Sequence, residues 1–248
     1  MARYKAIITY DGTEFSGMQR QLDARTVQGT FEQSLREIGW QGKSILAAGR
    51  TDAGVHANGQ CVSFDYEWKH SVDDLLNAIN SSLPRDVAAG SVNEVSEEFH
   101  PRYDAISRTY RYQINCVPYK EPLRERYYWR VWPKPDITIM GLAAEELLGD
   151  HDFSSFGTPP KEGGSTIRKV MKASWKVEDS TLAFEVEANG FLYHMVRRIV
   201  SQLVKIGLGK LKPEVVAETL SSRNSEMVQG LAPPNGLFLE SVQYPPDR

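Results

Sequence analysis

The chain is short of cysteine, has no net positive charge and contains no long apolar run. Each shortage removes a class of protein. Of its 248 residues two are cysteines, Cys61 and Cys116, far apart and without a second Cys or His at ligand spacing, so neither a disulfide framework nor a zinc site is expected. No apolar stretch approaches the roughly 20 residues that span a bilayer, and the first residues run straight into an alternating pattern rather than a leader. A cytoplasmic protein without membrane association is the expectation. The net charge is −3, so any polyanion must be met by a local basic surface. No internal repeat or low-complexity tract is visible.

What the chain does have is segregated charge. Arginines gather at Arg20 and Arg25, at Arg108 and Arg111, at Arg124, Arg126 and Arg130, at Arg168 beside Lys169, and at Arg197 and Arg198, while acids collect at Asp73–Asp74, Glu94 to Glu98 and Glu145 to Asp152. A chain of this length buries roughly 75% of its unfolded surface, enough for one large domain or two small ones. Tyr4, Ala6, Ile8 and Tyr10 alternate as a strand that ends at Asp11-Gly12. Thr26 caps a helix with Val27, Phe31, Leu35 and Ile38 on one side. Ser44 to Ala48 and Gly59 to Asp65 read as strands, Ser71 caps a helix that Pro84 stops, and Val87 to Val95 is a further strand. The order is α+β, compatible with an open sheet covered on one face by helices.

A composition change near residue 105 marks a boundary between residues 1–105 and 106–248. Arg108, Tyr110, Tyr112 and Ile114 share one face of the next strand. Asp136 caps a helix, residues 150–168 read as a long loop, and a hairpin turns at Asp179-Ser180. Its outer Lys172 and Lys176 face glutamates, which removes them from the basic set. A helix follows His194, with Val196, Ile199, Val200 and Leu203 as its stripe. At about 100° per residue Arg197 lies near the stripe margin, where it is partly buried and wants an anion, and Arg198 points to solvent. Residues 213–220 give one more helix, and residues 237–244 a closing strand.

The densest chemistry is in Ala48-Gly49-Arg50-Thr51-Asp52-Ala53-Gly54-Val55-His56-Ala57. A carboxylate beside an arginine stays ionised and suits a nucleophile or base. Taken alone, the ten residues favour a plain turn in which Asp52 bonds its own backbone and Arg50 is a surface partner. Tyr110, taken alone, reads as one more apolar-face residue.

Six stretches together resemble the TruA family of tRNA pseudouridine synthases. They are Tyr10-Asp11-Gly12-Thr13 with Gly17 and Gln19; Thr26-Val27-Gln28-Gly29; Gly49 to Ala57; Arg108-Thr109-Tyr110-Arg111-Tyr112; Asn189-Gly190-Phe191 with Met195-Val196-Arg197; and Ala232-Pro233 with Gly236-Leu237. The likeness runs from about Tyr4 to Tyr244. Met18, where an aromatic is common, and Ser201, where glycine is frequent, depart from it. The resemblance implies two ferredoxin-like, RNA-recognition-like subdomains with mixed, largely antiparallel sheets, flanking helices and a cleft between them. It further implies isomerisation of uridine to pseudouridine at positions 38 to 40 of the tRNA anticodon stem-loop, with no metal or organic cofactor and with a homodimer as the working form. By matching position Asp52 is the nucleophile, Tyr110 the tyrosine that stacks on the base, and Arg197 the partner of the carboxylate. Arg50, Arg20 and Arg168, with Tyr110, are the expected substrate contacts. His56 is a loop hydrogen-bonder and His194 a helix-start residue.

Two other readings share the scaffold. A noncatalytic RNA-binding protein or tRNA chaperone has no need of a carboxylate that repels phosphate. A glycosidase wants a second acid; only Asp11 is available among the matched stretches, and it reads better as a turn residue.

Overall fold

The computed structural model describes residues 1–228 and 230–246. The chain divides into two compact units, Met1–Ile106 joined by the stretch from Phe238, and Ser107–Leu237. The closing strand therefore belongs with the first unit although it follows the second in sequence.

In the first unit the order is β1 (Ala2–Tyr10), α1 (Val27–Glu37), β2 (Leu46–Ala47), β3 (His56–Tyr66), α2 (Val72–Ser82) and β4 (Val87–Val95). β1 lies between β3 and β4, antiparallel to both, and β2 pairs antiparallel on the other side of β3. This is the ferredoxin-like βαββαβ arrangement. The alternation read from β1 is real: Tyr4, Ala6, Ile8 and Tyr10 are buried. Tyr4 sits opposite Phe64, their rings 5.9 Å apart, and Phe31 of α1 meets Phe64 edge-on at 6.1 Å. The opposite face carries Ile7 and the buried Cys61, packed with Phe99, Val242 and Tyr244. Burial pushes the Cys61 thiol up to about 11; both cysteines are free.

Thr26 caps α1 by accepting the Gly29 N–H, and Ser71 with Asp74 forms a capping box on α2. The strand expected from Ser44 shrinks to Leu46–Ala47. The Ser44 hydroxyl and the Ile45 N–H turn instead to Glu32, a carboxylate fully buried on α1. Finally β10 (Leu237–Gln243) runs parallel to β3, with Phe238 opposite His56.

The second unit contains β5 (Ser107–Asn115), β6 (Trp129–Arg130), α3 (Ile137–Glu145), β7 (Gly149–Asp152), β8 (Ile167–Glu178), β9 (Thr181–Ala188), α4 (Met195–Gly207) and α5 (Val215–Ser222). β5, β9, β8 and β7 are neighbours in that order, all antiparallel, and β6 adds to β5 in parallel. Tyr112 and Ile114 on β5 and Phe184 and Val186 on β9 are fully buried. Helices α3 and α4 pack so closely that a Cβ on Gly207 would stand 2.7 Å from Met140 Cγ. The hairpin lysines behave as their spacing predicts: Lys172 pairs with Glu185, and Lys176 lies 3.8 Å from the same carboxylate.

The long loop expected over residues 150–168 is shorter than its sequence suggests. β7 takes its start and β8 its end, and Phe153 and Phe156 are buried within it. Among the described residues no helix is long and apolar enough to cross a membrane, and no group of three His, Cys, Asp or Glu side chains could hold a metal ion.

Candidate active site

Asp52 sits, half-buried, in the loop between β2 and β3. That loop has little regular structure, so its position must come from contacts on its sides. The Met18 N–H donates to the Thr51 carbonyl at 3.0 Å, and the Gly54 N–H donates to Phe15 O at 3.3 Å. The Val55 N–H closes a turn onto Asp52 O at 3.2 Å. Beneath, the buried Tyr10 hydroxyl meets Thr51 Oγ1 at 2.7 Å, and Gln60 Nε2 donates to Gly49 O at 3.0 Å. Burial pushes the Tyr10 phenol up to about 12, so it keeps its proton across the physiological range.

The other two first-unit motifs are the clamp for this loop. Gly17 has φ +94°, and a Cβ there would stand 2.8 Å from Thr51 O; a Cβ on Gly12 would stand 2.0 Å from Val55 O. Glycine is required at Gly17 both for its backbone angle and for the close approach. The segment is held in turn by the start of α1, since the N–H groups of Val27 and Gln28 donate to the carbonyls of Gly17 and Met18 at 3.2 and 3.0 Å. Met18, the departure from the family pattern, is buried and serves this clamp through its backbone. His56 is the expected loop hydrogen-bonder, its Nδ1 accepting the Gly12 N–H at 3.0 Å. Asp11 Oδ1 accepts both the backbone N–H and the hydroxyl of Thr13, at 3.0 and 2.6 Å, which makes it the turn residue expected.

In the second unit Tyr110 is buried on β5, and its ring meets Phe191 edge-on at 4.9 Å. Arg197 stands in the first turns of α4, half-buried, with Nε donating to Ala232 O at 2.7 Å; the Ala232 N–H donates back to Arg197 O at 3.2 Å. The last motif locks onto the first strand of the unit. Tyr112 OH donates to Pro233 O at 2.8 Å, and a Cβ on Gly236 would stand 2.8 Å from the Tyr112 ring. Ser201 is buried beside Gly230, where a Cβ would approach its hydroxyl to 3.1 Å. His194 is the residue before α4, as expected, in the left-handed conformation at φ +66°.

The arginines separate by what holds them. Arg20 lies 2.6 Å from buried Glu32, whose other oxygen accepts from Gln28. Arg25 makes a bidentate pair with Asp86, and Arg111 and Arg130 pair with Glu178 and Glu125. Arg50, Arg168 and Arg198 meet no carboxylate at ion-pair distance among the described residues. Arg50 is exposed, not the surface partner of Asp52 that the loop alone suggested. Arg168 donates to the carbonyls of Ser165 and Ile167, and burial pulls its guanidinium below the usual value. Helix phase predicts a solvated Arg198 opposite a marginal Arg197, yet both are half-buried. Arg197 differs from Arg198 in donating to the Ala232 carbonyl.

Sequence reasoning supplied Asp52, Tyr110 and Arg197 but not the groups that hold them. Tyr10, Phe191 and Ala232 stand in the matched stretches, though nothing there says what they touch, and Gln60, outside those stretches, gave no local signal. Glu32 alone offered one, a carboxylate bordering the apolar stripe of α1.

The first unit carries a carboxylate on a clamped loop, and the second unit carries an aromatic ring on a strand and a guanidinium on a helix. The description "tRNA pseudouridine synthase" attaches to the family whose sequence pattern matches residues 6–104 and 143–245. Curated relatives named tRNA pseudouridine synthase A include one from Pseudothermotoga lettingae, 40% identical over 98% of this chain and 100% of its own. Another, from Streptococcus equi subsp. equi, is 40% identical over 98% of this chain and 99% of its own, and one from Fervidobacterium nodosum is 41% identical over 98% and 100%. The chain belongs to the tRNA pseudouridine synthase family, whose members isomerise uridine to pseudouridine.

Proposed function

We infer that this protein isomerises uridine to pseudouridine in the anticodon stem-loop of tRNA, with Asp52 as nucleophile. The observation that carries the reading is the clamp on the Asp52 loop: four backbone or side-chain bonds and two glycines without room for a Cβ fix one short irregular segment. A surface turn needs none of these.

The isomerisation breaks the N1–C1′ bond of uridine and joins C5 to C1′. The proton lost from C5 is balanced by the one gained at N1. A single carboxylate can carry the detached fragment through this exchange covalently. Tyr110 stacks on the target base, worth roughly 1–3 kcal/mol, and Arg197 supplies positive charge for the Asp52 carboxylate. Flipping the uridine out of its stem costs a few kcal/mol, which phosphate contacts offset. Arg50 and Arg168, neither held by a carboxylate, suit that work; Arg20 contributes while tied to Glu32. A cytoplasmic homodimer, in which two subunits combine their basic surfaces, fits the net charge of −3.

The test is purified protein with a uridine-labelled tRNA transcript. Wild-type protein is expected to form pseudouridine and release no free uracil, while Asp52→Asn forms none and still binds the RNA. Turnover by Asp52→Ala at the wild-type rate would overturn the assignment.

A further inference from the structure

Tyr193 is an exposed aromatic in the stretch that leads into α4. Its side chain is 54% exposed, two residues after Phe191, which touches Tyr110, and four before Arg197. We propose that the Tyr193 ring, backed by His194, is a stacking platform for an unpaired nucleobase of the RNA substrate other than the target uridine.

Three observations carry this. First, the ring is supported: its centroid lies 3.7 Å from that of His194, at 32°. Second, the backbone is held at some cost. His194 occupies the left-handed region at φ +66°, uncommon for any residue but glycine, and the Tyr193 N–H bonds to Thr158 O at 2.9 Å. A Cβ on Gly157 would stand 2.5 Å from Tyr193 O, so the neighbouring loop is also shaped to this backbone. Residues kept in sparsely populated angles gather at functional sites. Third, the same segment carries unneutralised positive charge. Arg168 lies against Gly190, and Arg198, whose backbone N–H bonds to His194 O, meets no carboxylate among the described residues. An aromatic face among cations is how proteins hold single-stranded nucleic acid, and stacking tolerates any base because every base has a π-face.

This rests on the tRNA reading above, and the experiment separates the two. Binding is measured by titrating an unmodified tRNA transcript over a range of salt, with turnover followed in parallel. Tyr193→Ala is expected to raise Kd and KM about tenfold, with the slope of log Kd against log salt unchanged. Tyr193→Phe keeps the ring and stays near wild type. Arg168→Ala instead flattens the slope by about one charge. Because glycine suits the left-handed angle, His194→Gly keeps Tyr193 in place but removes its backing ring, and is expected to give a smaller loss than Tyr193→Ala. Wild-type affinity in Tyr193→Ala, or a flattened salt slope like that of Arg168→Ala, would overturn the platform. Absence of pseudouridine from the wild-type reaction would overturn the activity, and leaves the binding comparison standing by itself.

Discussion

In the first unit the Asp52 carboxylate is carried on irregular backbone, and in the second the Tyr110 ring and the Arg197 guanidinium are carried on a strand and a helix. The Asp52 loop takes its position from glycines that admit another backbone and from buried polar groups, Tyr10 and Gln60, that reach it across the fold. Tyr110 and Arg197 take theirs from strand alternation and helix phase, with Phe191 and the Ala232 carbonyl among their contacts. A loop built from close approaches should fail when any one approach is blocked. Regular elements should absorb the same insult.

The motif glycines make the largest test of that difference. Gly17→Ala must relieve both φ +94° and a 2.8 Å approach to Thr51 O. The strain costs roughly 1–3 kcal/mol of stability, and a loop displaced by even about 1 Å loses on the order of 100-fold in turnover. Gly190→Ala, in the stretch of the second unit that joins β9 to α4, has no positive φ to relieve and meets only the Arg168 side chain, with Nε at 3.4 Å and Cδ at 3.6 Å. Its expected loss is less than about threefold, since an ordinary contact needs little adjustment. Steady-state kinetics and thermal unfolding of the two variants measure the contrast; equal losses would break it.

Next in size is the pair of neighbouring arginines on α4. Arg197→Ala removes the Nε bond to Ala232 and the proposed charge partner of Asp52. It is expected to cost about 1 kcal/mol of stability, and turnover by roughly 100-fold if the interaction forms in the transition state. Arg198→Ala should leave turnover at saturating tRNA within about twofold, weaken binding a few-fold and reduce the salt slope by about one. Mild and equal effects on turnover would show that the Ala232 contact does not mark the functional arginine.

How much of each unit was legible follows from the same contrast. Regular elements announce themselves by period, so β1, α1, α2, the β8–β9 hairpin and α4 stand where alternation, caps and helical stripes put them. β7 did not announce itself: Gly149-Asp150-His151-Asp152 has no apolar alternation, because a strand at the margin of its sheet needs none, and with it residues 150–168 read as one long loop. Phe153 and Phe156, buried inside that stretch, were the overlooked signal. Helix phase placed Arg197 correctly but not Arg198, since phase reports direction on an isolated helix and not what packs beside it. Asp52 was visible only as a motif. Its fixation depends on Tyr10, Gly17 and Gln60, whose partners are set by the fold and leave no local trace.

The smallest effect should come from a contact one step removed from the loop. The Arg25 guanidinium makes a bidentate pair with Asp86 at 2.7 and 2.9 Å and lies 4.1 Å from the Phe15 ring, while Phe15 O receives the Gly54 N–H of the Asp52 loop. The hydrogen bond from Arg25 holds the Asp86 carboxyl below its ordinary range, with burial opposing and the positive charge assisting. A carboxyl depressed in the folded protein contributes stability above its unfolded pKa of about 3.9 and loses it as pH falls through the folded value. Asp86→Asn is therefore expected to cost up to about 1 kcal/mol near neutral pH, with a difference from wild type that closes below about pH 4. Asp65, Asp152 and Glu185, also held low by their partners, are common to both proteins and cancel in that difference. Turnover should change less than about twofold, because the Gly54 bond and the glycine approaches remain. A stability difference that persists unchanged at pH 3 would mean that Asp86 acts by shape and not by charge, and that the clamp on Asp52 does not extend electrostatically beyond Phe15.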